Sequence, residues 1–380
     1  MTASAKPPAA GEPEFARQCL VYVGTYTGPR SKGIHVCRFD AVSGRFTPPE
    51  LAAEATNPSF VAIHPNLRFL YAVGEMNDST GRQGGVVRAF SVSADTGALT
   101  LLNEVASGGA GPCRLAVDKA GKFVLVANYG SGSISVISIR ADGRLAQATA
   151  VVQHAGSSVD PARQEGPHAH SVNLDAANRF AFAADLGLDE VRVYRFDPSQ
   201  GTLAPNDPPS ARLKPGSGPR HLAFHPSGRF AYVITEMGNT VTAFRYDAAR
   251  GVLAELQSIA TTPDGCRQES YASEVQVHPA GGYLYGANRG HDSIAVFAID
   301  PDRVTLTPVA TQPCGGKWPR HFAMDPTGGW MLVGNERSDT IAPFRIDAHT
   351  GRLTPAGEGV PVPSPACIAF LPLHRSSTWI

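Results

Sequence analysis

One motif returns at a spacing of about 50 residues along this 380-residue chain, and that period limits the possible folds more than any other property of the sequence. It consists of a short apolar run, a turn of the type x-P-x-G-R-F, and a second apolar run. The six copies are PSFVAIHPNLRFLYAVGE (58–75), PCRLAVDKAGKFVLVANYG (112–130), HAHSVNLDAANRFAFAADLG (168–187), PRHLAFHPSGRFAYVITEMG (219–238), ASEVQVHPAGGYLYGANRG (272–290) and PRHFAMDPTGGWMLVGNER (319–337). Behind each stands a further apolar run and a turn closing on Gly-x-Leu or a near variant, such as DTGAL (95–99), ADGRL (141–145), PSQGTL (198–203) and AHTGRL (348–353). Residues 219–256 therefore read as four short strands joined by tight turns, one antiparallel meander.

A unit of this size cannot bury both faces of its sheet alone. Units stacked radially bury each other's faces, and closing the ring protects the sheet edges. A seventh copy is split. The chain opens with LVYVGTYTG (20–28) and IHVCRFDAVSGRF (34–46), the later strands of a unit, and ends with PACIAFLP (365–372), its first strand. The expected fold is all-β, a seven-bladed β-propeller of four-stranded antiparallel blades closed by strands from both ends. No Pro/Ser-rich or charged linker interrupts the period, so residues 16–380 read as a single propeller domain and residues 1–15 as a disordered tail.

Composition removes several partners. The chain carries 33 basic and 33 acidic residues and no long block of Lys or Arg, which leaves nucleic acid or an anionic membrane surface without an electrostatic footprint. No apolar run approaches the roughly 20 residues that span a bilayer. The start, MTASAKPPAAGEPEF, lacks the apolar core of a secretory signal, and the cysteines at 19, 37, 113, 266, 314 and 367 show no CxxC or CxxH spacing. A cytoplasmic protein with reduced cysteines is expected.

In a propeller the first strand of each blade lines the central channel. Aligning the copies on their turn, the residue nine positions before its Arg or Lys is Ser59, Cys113, His170, Arg220, Ser273, Arg320 and, in the closing blade, Ala366. A second slot lies sixteen residues further on, at the end of the second strand: Glu75, Tyr129, Leu186 with Asp185 beside it, Glu236, Arg289, Glu336 and, in the split blade, Tyr26. Two slots thus gather His, Arg and Glu around one axis, where isolated charges would be costly. His64, His225 and His278 occupy the turn itself and read as structural, since Asp118, Asp175 and Asp325 replace them in other copies.

With these motifs on view, residues 20–372 resemble the seven-bladed lactonase family, which includes propeller-type 6-phosphogluconolactonases and the fungal 3-carboxy-cis,cis-muconate lactonizing enzyme. The opening YVGTYT, the repeated HPxGRFxY turn, GPHAHSV, GPRHLAFHP and the N-R-G-x-D-S-I-x-V-F segment carry the likeness. The resemblance implies that His170, Arg220, Glu236 and Arg289 are catalytic. His168, two residues before His170, is expected beside the substrate together with Arg320, Glu75, Tyr129, Glu336 and Lys317.

The residue types suit that chemistry. Lactone hydrolysis needs an activated water and a positive site for the oxyanion. His170 titrates in the right range, Glu236 orients it or takes the proton itself, and Arg220 and Arg289 match a carboxylate, a phosphate or an alkoxide. Arg320, Lys317 and His321 would extend the positive surface toward a phosphate. The expected reaction is hydrolysis of 6-phospho-D-glucono-1,5-lactone to 6-phosphogluconate, a step of the pentose phosphate pathway, with a small-molecule sugar lactone, in phosphorylated form, as partner. A broader sugar-lactone hydrolase and a 3-carboxymuconate-type cyclase use the same groups. A non-enzymatic propeller presenting loops to a protein is the third reading, against which the Gly, Asp, Ser and Asn loop tips speak. No metal and no cofactor are expected: no P-loop, H-E-x-x-H or G-x-S-x-G motif is present, and His168-Ala169-His170 has no third ligand at an equivalent place. Glu236→Gln and His170→Ala are both expected to fold.

Overall fold

Each repeated segment folds as two antiparallel strands, and the apolar run and Gly-x-Leu segment behind it supply the third and fourth. The computed structural model describes residues 18–76, 84–303 and 305–373; the expected tail, residues 1–15, lies outside them. Seven sheets result, with neighbouring strands antiparallel throughout. In the blade that starts at Pro219, for example, the strands are Pro219–Phe224, Phe230–Thr235, Thr240–Asp247 and Val252–Ala260. Among the described residues the helical content is one three-residue 3-10 turn, Glu336–Ser338.

Burial grades outward across each blade. The second strands, such as Phe123–Asn128, Phe180–Asp185 and Phe230–Thr235, are buried at every position, because adjacent blades cover both of their faces. This is why they read as unbroken apolar runs. The outermost strand Leu145–Gln153 begins on a buried leucine and then alternates half-buried and exposed residues, as a strand covered on one face must. In two blades that outer strand is broken in two, at Arg45–Phe46 and Glu50–Glu54 and at Leu353–Pro355 and Val360–Pro361. The first break holds Pro48 and Pro49, which have no N–H for a ladder.

The turns stitch one blade to the next. His64 accepts the Asn66 backbone N–H on Nδ1 (3.0 Å), and its Nε2 lies 2.9 Å from the Gly121 carbonyl of the following blade; His225 and His278 do the same at Gly281 and Gly328. Where Asp118 stands instead, its carboxylate accepts the N–H groups of Lys122 (2.6 Å) and Phe123 (2.7 Å). The Gly-x-Leu turn packs just as closely. Gly143 has φ +84, and a Cβ there would lie 2.4 Å from the Phe69 ring of the preceding blade, while the Tyr71 hydroxyl donates to its carbonyl at 3.0 Å. The repeated aromatic and the repeated glycine are therefore two halves of one contact.

Closure follows the expected split. Strand Pro365–Pro372 pairs antiparallel with Gln18–Thr25, placing Leu20 opposite Leu371 and Val23 opposite Ile368. The seven first strands then follow one another around the axis. Ile368 is buried with Val23, Leu332 and Ile341 between the closing blade and its neighbour. Ile368→Ala is expected to destabilise the protein by about 2–5 kcal/mol, the usual cost of emptying such a site, measured by chemical denaturation. Ending the chain at Ser364 removes a whole inner strand and is expected to abolish cooperative unfolding; a truncated protein with an unchanged melting curve would show that the closing strand is dispensable.

Candidate functional site

The channel slot falls on an irregularity that the sequence does not display. In six blades the first strand carries a β-bulge at that position: the ladder skips Cys113, His170, Arg220, Arg320 and Ala366, and sets Ser273 and Glu274 against one partner residue. A bulge adds one residue and re-aims its side chain. Arg220 and His221, and likewise Arg320 and His321, accordingly line the same small axial cavity together with His170, Cys113, Ser59 and Tyr26.

Four of the expected groups meet at one carboxylate. Glu236 Oε2 lies 2.7 Å from Arg289 Nη2, 3.0 Å from Arg220 Nε and 4.0 Å from His170 Nε2. Its other oxygen, Oε1, is held by Arg163 Nη2 at 2.7 Å. Arg163 was not foreseen. It stands in the connection before His168, outside the repeated strand pair; the one signal there is that Arg163-Gln164-Glu165 recurs as Arg267-Gln268-Glu269 in the connection before Tyr271. Arg220 also donates from Nη1 to the Ser273 carbonyl (2.6 Å), and Nη2 has no protein partner among the described residues.

Burial and charge set the protonation states. Burial pushes the Glu236 carboxyl up, but the Arg289 and Arg220 charges outweigh it and hold the group well below the usual carboxylate range. Burial, followed by the Arg220 and His221 neighbours, holds His170 well below the usual imidazole value, so it is neutral at neutral pH. Burial and the Arg289 charge push the Arg220 guanidinium down to about 9, still protonated at neutral pH. The arrangement is a neutral imidazole beside an anion already shared by three cations. A carboxylate so engaged is a poor proton acceptor, whereas the neutral imidazole beside it has a ring nitrogen that can take a proton.

The remaining expected residues divide. Tyr129 stacks on His168 with ring centroids 4.6 Å apart, meets His170 edge-on at 5.4 Å, and its hydroxyl lies 3.5 Å from Arg163 Nη2. His168 is bound to the Tyr129 carbonyl (3.0 Å) and to Glu165 (3.1 Å), supporting Tyr129 at the mouth. A second arc of the channel holds Tyr26, which donates to Glu75 at 2.9 Å and accepts from Arg320, itself 3.4 Å from Glu336. Two of the groups expected at a phosphate point elsewhere. Lys317 is 72% exposed and paired with Asp292 at 3.2 Å. His321 Nε2 faces the buried Glu274 at 3.0 Å.

Glu274 is the centre of a second network, likewise missed. Arg114 (3.4 Å), His221 (3.0 Å) and His321 (3.0 Å) all converge on its Oε2. Burial raises this carboxyl, and His221, His321 and Arg114 together bring it well below the usual range. His221 Nε2 in turn lies 3.1 Å from Arg220 Nη1, tying the lower network to the upper.

Comparison with known proteins places this geometry in context. The family described as "Lactonase, 7-bladed beta-propeller" matches residues 20–370. A 6-phosphogluconolactonase of Bacillus subtilis is 38% identical over 350 residues, covering 92% of this chain and 97% of that protein. A 6-phosphogluconolactonase of Formosa agariphila is 33% identical over 311 residues, covering 80% and 86%. Among solved structures, the periplasmic gluconolactonase of Pseudomonas aeruginosa superposes with a TM-score of 0.88 at 34% identity, covering 94% of this chain and 100% of that one.

The network alters one expectation about folding. Removing the Glu236 charge leaves the guanidiniums of Arg220 and Arg289, both nearly fully buried, without a counter-ion. Glu236→Gln is therefore expected to cost about 3–5 kcal/mol of stability, read by chemical denaturation at pH 7. A variant as stable as the parent would show that the arginines are neutralised by other groups.

Proposed function

Since the chain belongs to the seven-bladed β-propeller lactonases and is a lactone-hydrolysing enzyme, we propose that it opens 6-phospho-D-glucono-1,5-lactone, with His170 as the base that activates water. The observation that carries this reading is the neutral, buried imidazole of His170 placed 4.0 Å from a Glu236 carboxylate that three arginines already occupy. In the proposed reaction the oxygen of water attacks the lactone carbonyl carbon while His170 takes its proton. The carbonyl oxygen becomes an oxyanion, for which Arg220 Nη2 is the free donor. Collapse of that intermediate breaks the bond between the carbonyl carbon and the ring oxygen. The imidazolium returns its proton to the ring oxygen, which becomes a hydroxyl, and the new carboxylic acid ionises. Glu236 stabilises the transient imidazolium as a fixed anion and takes no proton.

Recognition of the sugar falls to the other arc. Glu75, Glu336 and Tyr26 can accept or exchange hydrogen bonds with hydroxyl groups, and two carboxylates there disfavour a phosphate. This moves the phosphate away from Arg320 and Lys317, where sequence alone would put it.

The test is acid release from fresh 6-phosphogluconolactone and from the unphosphorylated lactone, above the spontaneous rate, with a 3-carboxymuconate followed by absorbance as the control for cyclisation. His170→Ala is expected to lower kcat/KM by about two to four orders of magnitude. The base works only when neutral, and its imidazole is held below the ordinary value of 6.5. On the unphosphorylated lactone, whose charge does not change in this range, kcat/KM should therefore stay level as pH falls through 6.5 and decline only below it. An acid limb centred at or above pH 6.5 would remove His170 from the base role.

A further inference from the structure

The cavity enclosed at the axis measures about 10 Å3, room for about one water molecule and far below the roughly 300 Å3 at which small-molecule pockets begin. Glu236 and His170 are themselves only 6% and 7% exposed, so a lactone reaches them only if a side chain at the mouth gives way. The three guanidiniums on Glu236 are unequal in this respect: the Arg163 side chain is 35% exposed, those of Arg220 and Arg289 only 3% and 7%.

They also differ in what else holds them. Arg220 is bonded to the Ser273 carbonyl (2.6 Å), and Arg289 to the carbonyls of Tyr271 (3.2 Å) and Ala272 (3.3 Å). Among the described residues the Arg163 side chain has, apart from Glu236, only the Tyr129 hydroxyl at 3.5 Å. Its backbone, in contrast, is pinned. Asp160 Oδ1 accepts the N–H groups of Ala162 (2.8 Å) and Arg163 (3.1 Å), and the neighbouring Gln164 is fully buried, donating to the Leu186 carbonyl at 2.9 Å. Only the side chain is free to swing. The nearby rim carboxylate, Glu165, is bound by His168 at 3.1 Å.

Resting on the reading above, we infer that Arg163 is the specificity-determining residue for a phosphorylated lactone, exchanging Glu236 for the substrate's phosphate. A phosphate dianion offers a flexible guanidinium more charge and more acceptor oxygens than one carboxylate oxygen does. The exchange has a second effect. Among the described residues Arg163 is the sole hydrogen-bond partner of Oε1, so its departure frees that oxygen and leaves Glu236 a stronger anion facing the His170 imidazolium that forms during reaction. Binding energy from the remote phosphate is thereby spent on the chemical step, and the preference appears in kcat as well as KM.

The experiment compares the parent, Arg163→Ala and Arg163→Lys on 6-phosphogluconolactone and on glucono-1,5-lactone, the latter with and without added inorganic phosphate. In the parent, inorganic phosphate is expected to raise kcat on the unphosphorylated lactone severalfold by drawing Arg163 off Glu236. Arg163→Ala is expected to reduce the ratio of the two kcat/KM values about 10- to 100-fold and to abolish the stimulation by phosphate, with Arg163→Lys restoring part of both. An unchanged ratio in Arg163→Ala, or equal losses on both lactones, overturns the inference, as does a parent insensitive to inorganic phosphate. Failure of the parent on both lactones would overturn the reaction itself, a separate result.

Discussion

The pairing of the last strand with the first fixes the axis on which everything else depends. With Pro365–Pro372 joined to Gln18–Thr25, the split blade gains its inner strand, and each first strand packs between those of the two neighbouring blades. Bulges in that ring add one residue each without letting the strands part, so the extra side chains crowd toward the channel in pairs. Closure is thus what turns a repeated structural unit into a dense cluster of charged groups. A propeller open at this seam would keep its blades but lose the distance between Glu236 on one blade and His170 on the preceding one.

Burying that much charge is expensive, and the molecule meets the cost by pairing. Two carboxylates, Glu236 and Glu274, are each surrounded by donors, three guanidiniums in the first case and Arg114 with two histidines in the second. Pairing of this kind adds little to stability compared with apolar residues of the same shape, whereas loss of one member is costly. What it does provide is preorganisation: donors and anions are fixed before charge develops, so little reorganisation accompanies the reaction. The contact between His221 and Arg220 makes the deeper network a support for the upper one. Arg220 is oriented by Glu236 through Nε and by the Ser273 carbonyl through Nη1, with His221 beneath it.

Most of the fold was legible because its determinants are local and repeated. The x-P-x-G-R-F turn and the Gly-x-Leu turn each recur with the spacing of a blade, and the split seventh copy pointed to the seam. His170, Arg220, Glu236 and Arg289 could be picked out because two fixed offsets from the turn locate the same place in every blade. The rest was hidden for physical reasons. Arg163 lies in a connection outside the repeated strand pair, and its Arg-Gln-Glu tripeptide recurs at one other such connection, Arg267-Gln268-Glu269, too sparsely to register in an alignment on the turn. His221, Glu274 and the pairing of His321 with that carboxylate escaped because strand alternation sends residues i and i+1 to opposite faces, whereas the bulge turns both inward. Lys317 and His321 were read as phosphate ligands from their position alone. Their side chains had nearer partners, Asp292 and Glu274, that no linear spacing reveals.

The same charge arithmetic governs product release. In the proposed reaction, ring opening converts an uncharged ester into a carboxylate in front of Arg220 and Arg289, so the product carries one more negative charge than the substrate and would be held more tightly by a purely cationic site. Glu236 counters this. Once the substrate's carbonyl has become a carboxylate, two anions compete for the same donors, and the protein's own is covalently fixed and already bonded to Arg220 and Arg289. On the inferred exchange, return of Arg163 to Oε1 would restore the resting ion pair and withdraw the partner of the phosphate in the same movement. In this proposed cycle a carboxylate that exchanges no proton would serve both halves, stabilising the imidazolium while the bond breaks and expelling the anion that results.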